Sequence, residues 1–188
     1  MKFVDLQKFG FKTEPRYFFF GWSKEKSVLG RASAVKALLR AQKYLPNGLR
    51  FKVWDMQRPR YVQLNMIASF RRRLIASHPK ASKAQIEKLV YKFAAKPLLD
   101  SQVIRPDCHR NGGAVDLTII DKHGNELYMG TDHDDLTSKA ATDYFEKVKR
   151  PNGVDLEARK NRRMLIKVMT KAGWENYAPE WWHWSIVE

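Results

Sequence analysis

Two segments far apart in the chain, His109-Arg-Asn-Gly-Gly-Ala-Val-Asp116 and Glu180-Trp-Trp-His183, together hold two imidazoles and two carboxylates. A catalytic zinc takes three protein ligands and keeps a fourth position for water. A hydrolase also needs a carboxylate to take the proton from that water. The two segments supply this set, with His109, Asp116 and His183 as ligands of one Zn²⁺ per chain and Glu180 as the base. Any fold that uses them meets a strict geometric condition. A continuous strand would hold His109 and Asp116 about 23 Å apart at ~3.3 Å per residue. The chain must therefore turn back between them, and Gly112 and Gly113 permit tight or positive-φ conformations. Glu180 and His183, three residues apart, would face opposite sides of a regular strand. A turn at Pro179-Glu180 entering the strand brings both to one point. A lone histidine beside a turn is usually structural, and a Trp-rich terminal strand is usually core. The completeness of the combined set is what favours a metal site, and with it a metallopeptidase.

Around these segments the pattern predicts an α+β fold, a mainly antiparallel sheet flanked by helices, in one domain spanning 1–188. Residues 1–30 are aromatic-rich, with Tyr17-Phe-Phe-Phe20 and Gly21-Trp22, and read as an ordered arm or edge strand packed on the core. Ala34, Leu38, Ala41 and Leu45 predict a helix over 31–45, ended by Pro46-Asn-Gly48. Arg50 to Trp54 alternates as a half-buried strand. A second helix is expected over 60–76, broken at His78-Pro79. Ser82 and Gln85 form a capping box before the apolar face of Ile86, Leu89, Val90 and Phe93. Ala114 to Ile120 is expected to pair with Asn125 to Met129 as a hairpin across Asp121-Lys-His-Gly124. Residues 130–153 read as a long loop. A last helix, capped by Asp155, buries Leu165, Val168, Met169 and Ala172 and ends at Gly173. Trp181 to Val187 reads as a strand.

A hydrophobic fraction of 44% with 6 Trp, 7 Tyr and 10 Phe argues against disorder. The single cysteine, Cys108, excludes an intramolecular disulfide and a cysteine-rich metal cluster; beside a ligand it reads as a packed thiol. Met1 to Lys8 has neither an apolar h-region nor a cleavage site, and no run is long enough to span a bilayer, so a cytoplasmic location is expected. The net charge of +15 is spread over several groups, Arg71-Arg72-Arg73 and Arg159-Lys160 among them. No nucleic-acid-binding module accompanies it. It reads as a solvated surface that can make weak contact with anionic polymers. Composition leaves the oligomeric state open.

The motifs resemble those of the D-alanyl-D-alanine dipeptidases, zinc enzymes associated with vancomycin resistance and peptidoglycan chemistry. These share a fold with D-Ala-D-Ala carboxypeptidases, phage L-alanyl-D-glutamate endolysins and the hedgehog signalling domain. The family pattern His-x-x-Gly-x-Ala-x-Asp is met by His109, Gly112, Ala114 and Asp116, and Glu-x-Trp-His by Glu180, Trp182 and His183. Asp-x-x-Arg-Pro is met by Asp55, Arg58 and Pro59, and the Met-Gly-(Ser/Thr)-x-Phe-Asp loop is similar to Met129-Gly130-Thr131 followed by Asp134. Asn161-Arg162-Arg163 and Gly173-Trp174 also fit, and the resemblance covers about residues 30–186. It implies the fold, the zinc, a small D-dipeptide substrate and Arg58 as the group that stabilises the transition state. Asp134 would bind the substrate's free ammonium, against the plainer alternative of a solvated loop acid. The likeness departs at two positions. Asp107 stands where the family has Ser, and an aspartate there would repel a substrate's C-terminal carboxylate and favour a different second residue. His133 stands where the family has Phe. The alternatives are another peptidoglycan peptidase, either a D,D-carboxypeptidase or an L-Ala-D-Glu endopeptidase, and a non-catalytic, zinc-stabilised binding module.

Overall fold

The computed structural model describes residues 2–97 and 108–186. Seven strands and five α-helices occur among them. In chain order they are β1 (Phe3–Asp5), β2 (Lys12–Thr13), α1 (Arg16–Phe19), β3 (Leu29–Arg31), α2 (Ala32–Gln42), β4 (Arg50–Asp55), α3 (Arg60–Ser77), α4 (Lys83–Phe93), β5 (Ala114–Ile120), α5 (Gly153–Lys171), β6 (Trp174–Asn176) and β7 (His183–Ile186). A five-stranded sheet runs in the order β2-β4-β5-β7-β6, and β1 pairs with β3 in a small second sheet. Only β2 and β4 are parallel; the other pairs are antiparallel. No helix among the described residues is long and apolar enough to cross a membrane.

The central strand β5 is buried along its whole length. Its β-branched residues suit a strand covered on both faces. Val115, Leu117 and Ile119, alternate residues, join one core with Phe51 and Val53 of β4, Leu38 of α2, and Leu165 and Met169 of α5. Each such side chain, fully buried, contributes roughly 1.5–3 kcal/mol. Because strand side chains alternate, Asp116 projects from the opposite face. A second cluster gathers Tyr17, Met66, Ile67, Phe70, Ile86 and Val90 between α1, α3 and α4.

Most predicted elements form, with two differences. The hairpin expected after β5 reduces to a turn with Gly124 at φ +91° and one bridge, Ile120 to Glu126. The free edge of β5 is shared there, since β7 occupies it from Ala114 to Asp116 and leaves only the far end for the returning chain. The cap of α5 is Asn152, whose side chain accepts from the Asp155 backbone N–H, while Asp155 returns a bond as the third residue of a capping box. The N-terminal arm supplies β2 to the main sheet's edge and Leu6 and Phe11 to the core. The capping box of α4 forms from Ser82 and Gln85.

Candidate metal centre

Three elements deliver the donor atoms. Register does most of the work, because Asp116 of β5 and His183 at the start of β7 are directly opposed cross-strand partners. His109 arrives from a 3₁₀ turn over His109–Asn111, closed by Gly112 at φ +69°. A side chain at Gly112 would meet the Arg31 backbone nitrogen at 2.6 Å, so both conformation and space require glycine there. Glu180 sits in the turn before β7, where its N–H donates to the Tyr177 carbonyl at 2.8 Å. That turn breaks strand alternation and puts Glu180 and His183 on one side.

Nε2 of His109 lies 3.1 Å from Nδ1 of His183 and 3.2 Å from Oδ1 of Asp116, and His183 Nδ1 lies 3.1 Å from the same Oδ1. Tetrahedral zinc with bonds of about 2.0–2.1 Å places its donors about 3.3–3.4 Å apart, so the triangle is close to the size that such an ion spans. Protonation supports the fit. Nδ1 of His109 faces two acceptors, the Met56 carbonyl at 2.9 Å and Oδ2 of Asp55 at 3.1 Å, so it carries the proton. That leaves Nε2 as the nitrogen facing Asp116 and His183, where it is available to a cation held between the three. These three residues are the group with metal-ligand geometry among the described residues.

The outer oxygen of Asp116, Oδ2, accepts from Arg58 NH2 at 2.7 Å and has His133 Nε2 at 3.4 Å. Burial raises the Asp116 pKa, but His109, His133 and His183 outweigh it and hold the carboxyl well below the usual range. Arg58 also donates through Nε to Asp55 at 2.8 Å and through NH1 to Gln63 at 2.9 Å, and packs over the Tyr17 ring at 4.9 Å. Glu180 Oε2 stands 3.9 Å from His183 Nδ1. Burial, reinforced by Asp116 and Asp134 against the pull of His183 and Arg58, pushes its pKa up to about 7.

Arg58, His109, Asp116, Asp134, Glu180 and His183 all line one cavity of about 450 Å³, whose lining also includes Met66, Phe93 and Tyr177. Asp134 adopts φ +57°, and its Oδ2 is buried without a hydrogen-bond partner among the described residues. Left-handed backbone at a non-glycine residue is uncommon and concentrates at functional sites, though aspartate tolerates it. Cys108 lines the same cavity. Asp135 turns away to bond the Thr137 backbone, and His78 and His123 are exposed. Asp107 lies outside the described residues.

Two contributors escaped sequence reasoning: Met56, which orients His109, and Tyr17 beneath Arg58. Asp55 and His133 lay within the motifs, but their contacts with His109 and Asp116 did not follow from them. A backbone carbonyl, such as that of Met56, leaves no signal.

A family model described as D-ala-D-ala dipeptidase matches residues 21–188. A D-alanyl-D-alanine dipeptidase of a Synechocystis species is 29% identical over 145 residues, which cover 71% of this chain and 58% of that protein. The Escherichia coli protein of the same name is 28% identical over 104 residues, 55% of this chain and 50% of that protein. An Enterococcus faecalis D-alanyl-D-alanine dipeptidase is 24% identical over 163 residues, 86% and 74% of the two chains. The aligned part thus spans between half and three-fifths of the length of the first two relatives. Since the family model covers most of the sequence, with His109, Asp116, Glu180 and His183 all inside it, the chain belongs to the D-Ala-D-Ala dipeptidase family.

Proposed function

We propose that the protein is a zinc-dependent dipeptidase acting on D-alanyl-D-alanine or a related D-dipeptide. The observation that carries this reading is the triangle of His109 Nε2, Asp116 Oδ1 and His183 Nδ1, with edges of 3.1–3.2 Å, beside Glu180 at the wall of an open cavity. Zinc held by these residues supplies a Lewis acid that acidifies water and polarises a carbonyl. Glu180 takes the proton of the attacking water and returns it to the leaving amine, a role open to a carboxylate 3.9 Å from a metal-facing nitrogen. Among the described residues the contacts of Arg58 use four of its five N–H donors, counting Met66 Sδ at 3.5 Å, and the fifth stabilises the developing oxyanion. Asp134, which lines the cavity, receives the substrate's ammonium, and this restricts cleavage to peptides with a free amine close to the scissile bond. Asp107 shapes the preference for the second residue.

Metal analysis combined with a substrate panel tests this reading. The panel holds D-dipeptides varied at the second residue, their N-acetylated forms and intact muropeptides. One zinc per chain is expected, with cleavage of free dipeptides and little of the acetylated ones. Cleavage of muropeptides alone would move the protein to the carboxypeptidase or endopeptidase class. Bound zinc with no cleavage of any panel member would make it a binding module.

A further inference from the structure

His133 is buried completely at its side chain and is held between aromatic rings. Trp54 stacks on it at 4.8 Å and 28°, and Trp182 meets it edge-on at 5.5 Å and 77°. Arg16 lies over the other ring of this pair, 4.4 Å from the Trp54 centroid, and is itself held by ion pairs to Glu14 and Asp132. The imidazole therefore has no room to swing, and the direction of its Nε2 is set by packing. Nε2 lies 3.4 Å from Oδ2 of Asp116 and 3.6 Å from Oδ1 of Asp134. Both neighbours are carboxylate oxygens, which only accept. Nδ1 is buried without a hydrogen-bond partner among the described residues. A proton on Nδ1 alone would bury an unsatisfied donor and aim a lone pair at two carboxylates. The proton therefore belongs on Nε2.

We propose that His133 is a positioning residue of the metal centre. Its Nε2–H donates to the outer oxygen of Asp116 and faces the Asp134 carboxylate at 3.6 Å as an electrostatic contact only, linking the ligand side of the site to the side that receives the substrate's amine. The inference rests on the reading of His109, Asp116 and His183 as metal ligands. With Arg58 at 2.7 Å, the contact turns Oδ2 outward and leaves Oδ1 to the two histidine nitrogens. Groups that hold a metal-binding carboxylate in this way are typically worth about 10- to 100-fold in metal affinity. At 3.4 Å, and with Arg58 retained, the effect of His133 belongs at the low end, about tenfold.

Two substitutions separate the N–H from the ring. His133→Phe keeps the stack on Trp54 and removes the donor. His133→Gln loses the ring but places an amide N–H near the position of Nε2. Zinc affinity is measured by competition with a chromogenic chelator, KM and kcat with a free D-dipeptide, and the melting temperature of each metal-free protein as a control on folding. The expected result is about tenfold weaker zinc binding and a raised KM in His133→Phe, with both restored to within a few-fold in His133→Gln. Parental affinity and KM in His133→Phe would overturn the proposal, as would equal losses in both variants, which would assign the ring a packing role. If His133→Phe does not fold, His133→Met takes its place as the donor-free variant with the same outcomes. A parent protein that binds no zinc would overturn both this inference and the function proposed above, whereas zinc binding indifferent to residue 133 overturns the inference alone.

Discussion

At Glu180 a single side chain carries both a stability cost and a proposed chemical role. Its folded pKa, about 7, lies above the ordinary carboxylate value because the group is buried beside Asp116 and Asp134. A raised folded pKa stabilises the protein fully only below the unfolded pKa, and that contribution is lost as pH rises through the folded one. In the metal-free protein stability should fall between about pH 4.5 and 7, by about 3 kcal/mol for a shift of this size. Glu180→Gln should remove this slope, matching the parent near pH 4.5 and exceeding it at pH 8 in urea titrations of the chelated protein. The zinc-loaded variant should keep its metal and lose hydrolysis; near-parental kcat would remove Glu180 from the role of base. The pairing of Glu180 with His183 was legible in the sequence, because donor chemistry is a property of residue type and the spacing implied a turn. Its raised pKa was not, since that depends first on burial and then on carboxylates contributed by β5 and the loop before α5.

At the scale of elements, α5 fixes the loop that carries His133 and Asp134. Arg162 is buried and donates to three carbonyls, Met129 at 2.7 Å, Ala141 at 2.6 Å and Lys139 at 2.9 Å, while Asn161 holds the Tyr128 carbonyl at 2.9 Å. Burial costs the charge enough to lower the Arg162 pKa to about 10. A lysine cannot reproduce the planar fork. Arg162→Lys should lose about 2 kcal/mol, seen as a lower urea midpoint at unchanged m-value, and should raise KM as the loop loosens. Within this loop Gly130 adopts φ +89°, and a Cβ there would sit 2.2 Å from the Phe145 ring. The Asn-Arg-Arg and Met-Gly segments were both visible as motifs. That one staples the other came only from the packing of α5, because the two are separated by a long stretch without regular strands.

At the scale of the molecule, the proposed metal joins a 3₁₀ turn, the central strand and the C-terminal strand. An ion bound only by the folded chain stabilises it by mass action, about 2.7 kcal/mol at a free concentration 100 times Kd. Adding a chelator should lower the melting temperature, and Zn²⁺ should restore it in proportion to the logarithm of its concentration. A melting temperature indifferent to both would argue against a site spanning these elements. The residues before the family match also reach the centre, since Tyr17 lies under Arg58 and Arg16 over Trp54.

What the sequence determined by itself was the donor set, its order along the chain and the helices that surround it, because residue chemistry, capping and periodicity are local. The tertiary structure alone decided the opposition of Asp116 to His183, the tautomer of His109, the double engagement of Arg58 and the placement of His133 against two carboxylates. Each of these is a distance between residues remote in sequence. Such distances follow from strand register and from which side chains share the buried space, and no local spacing encodes them.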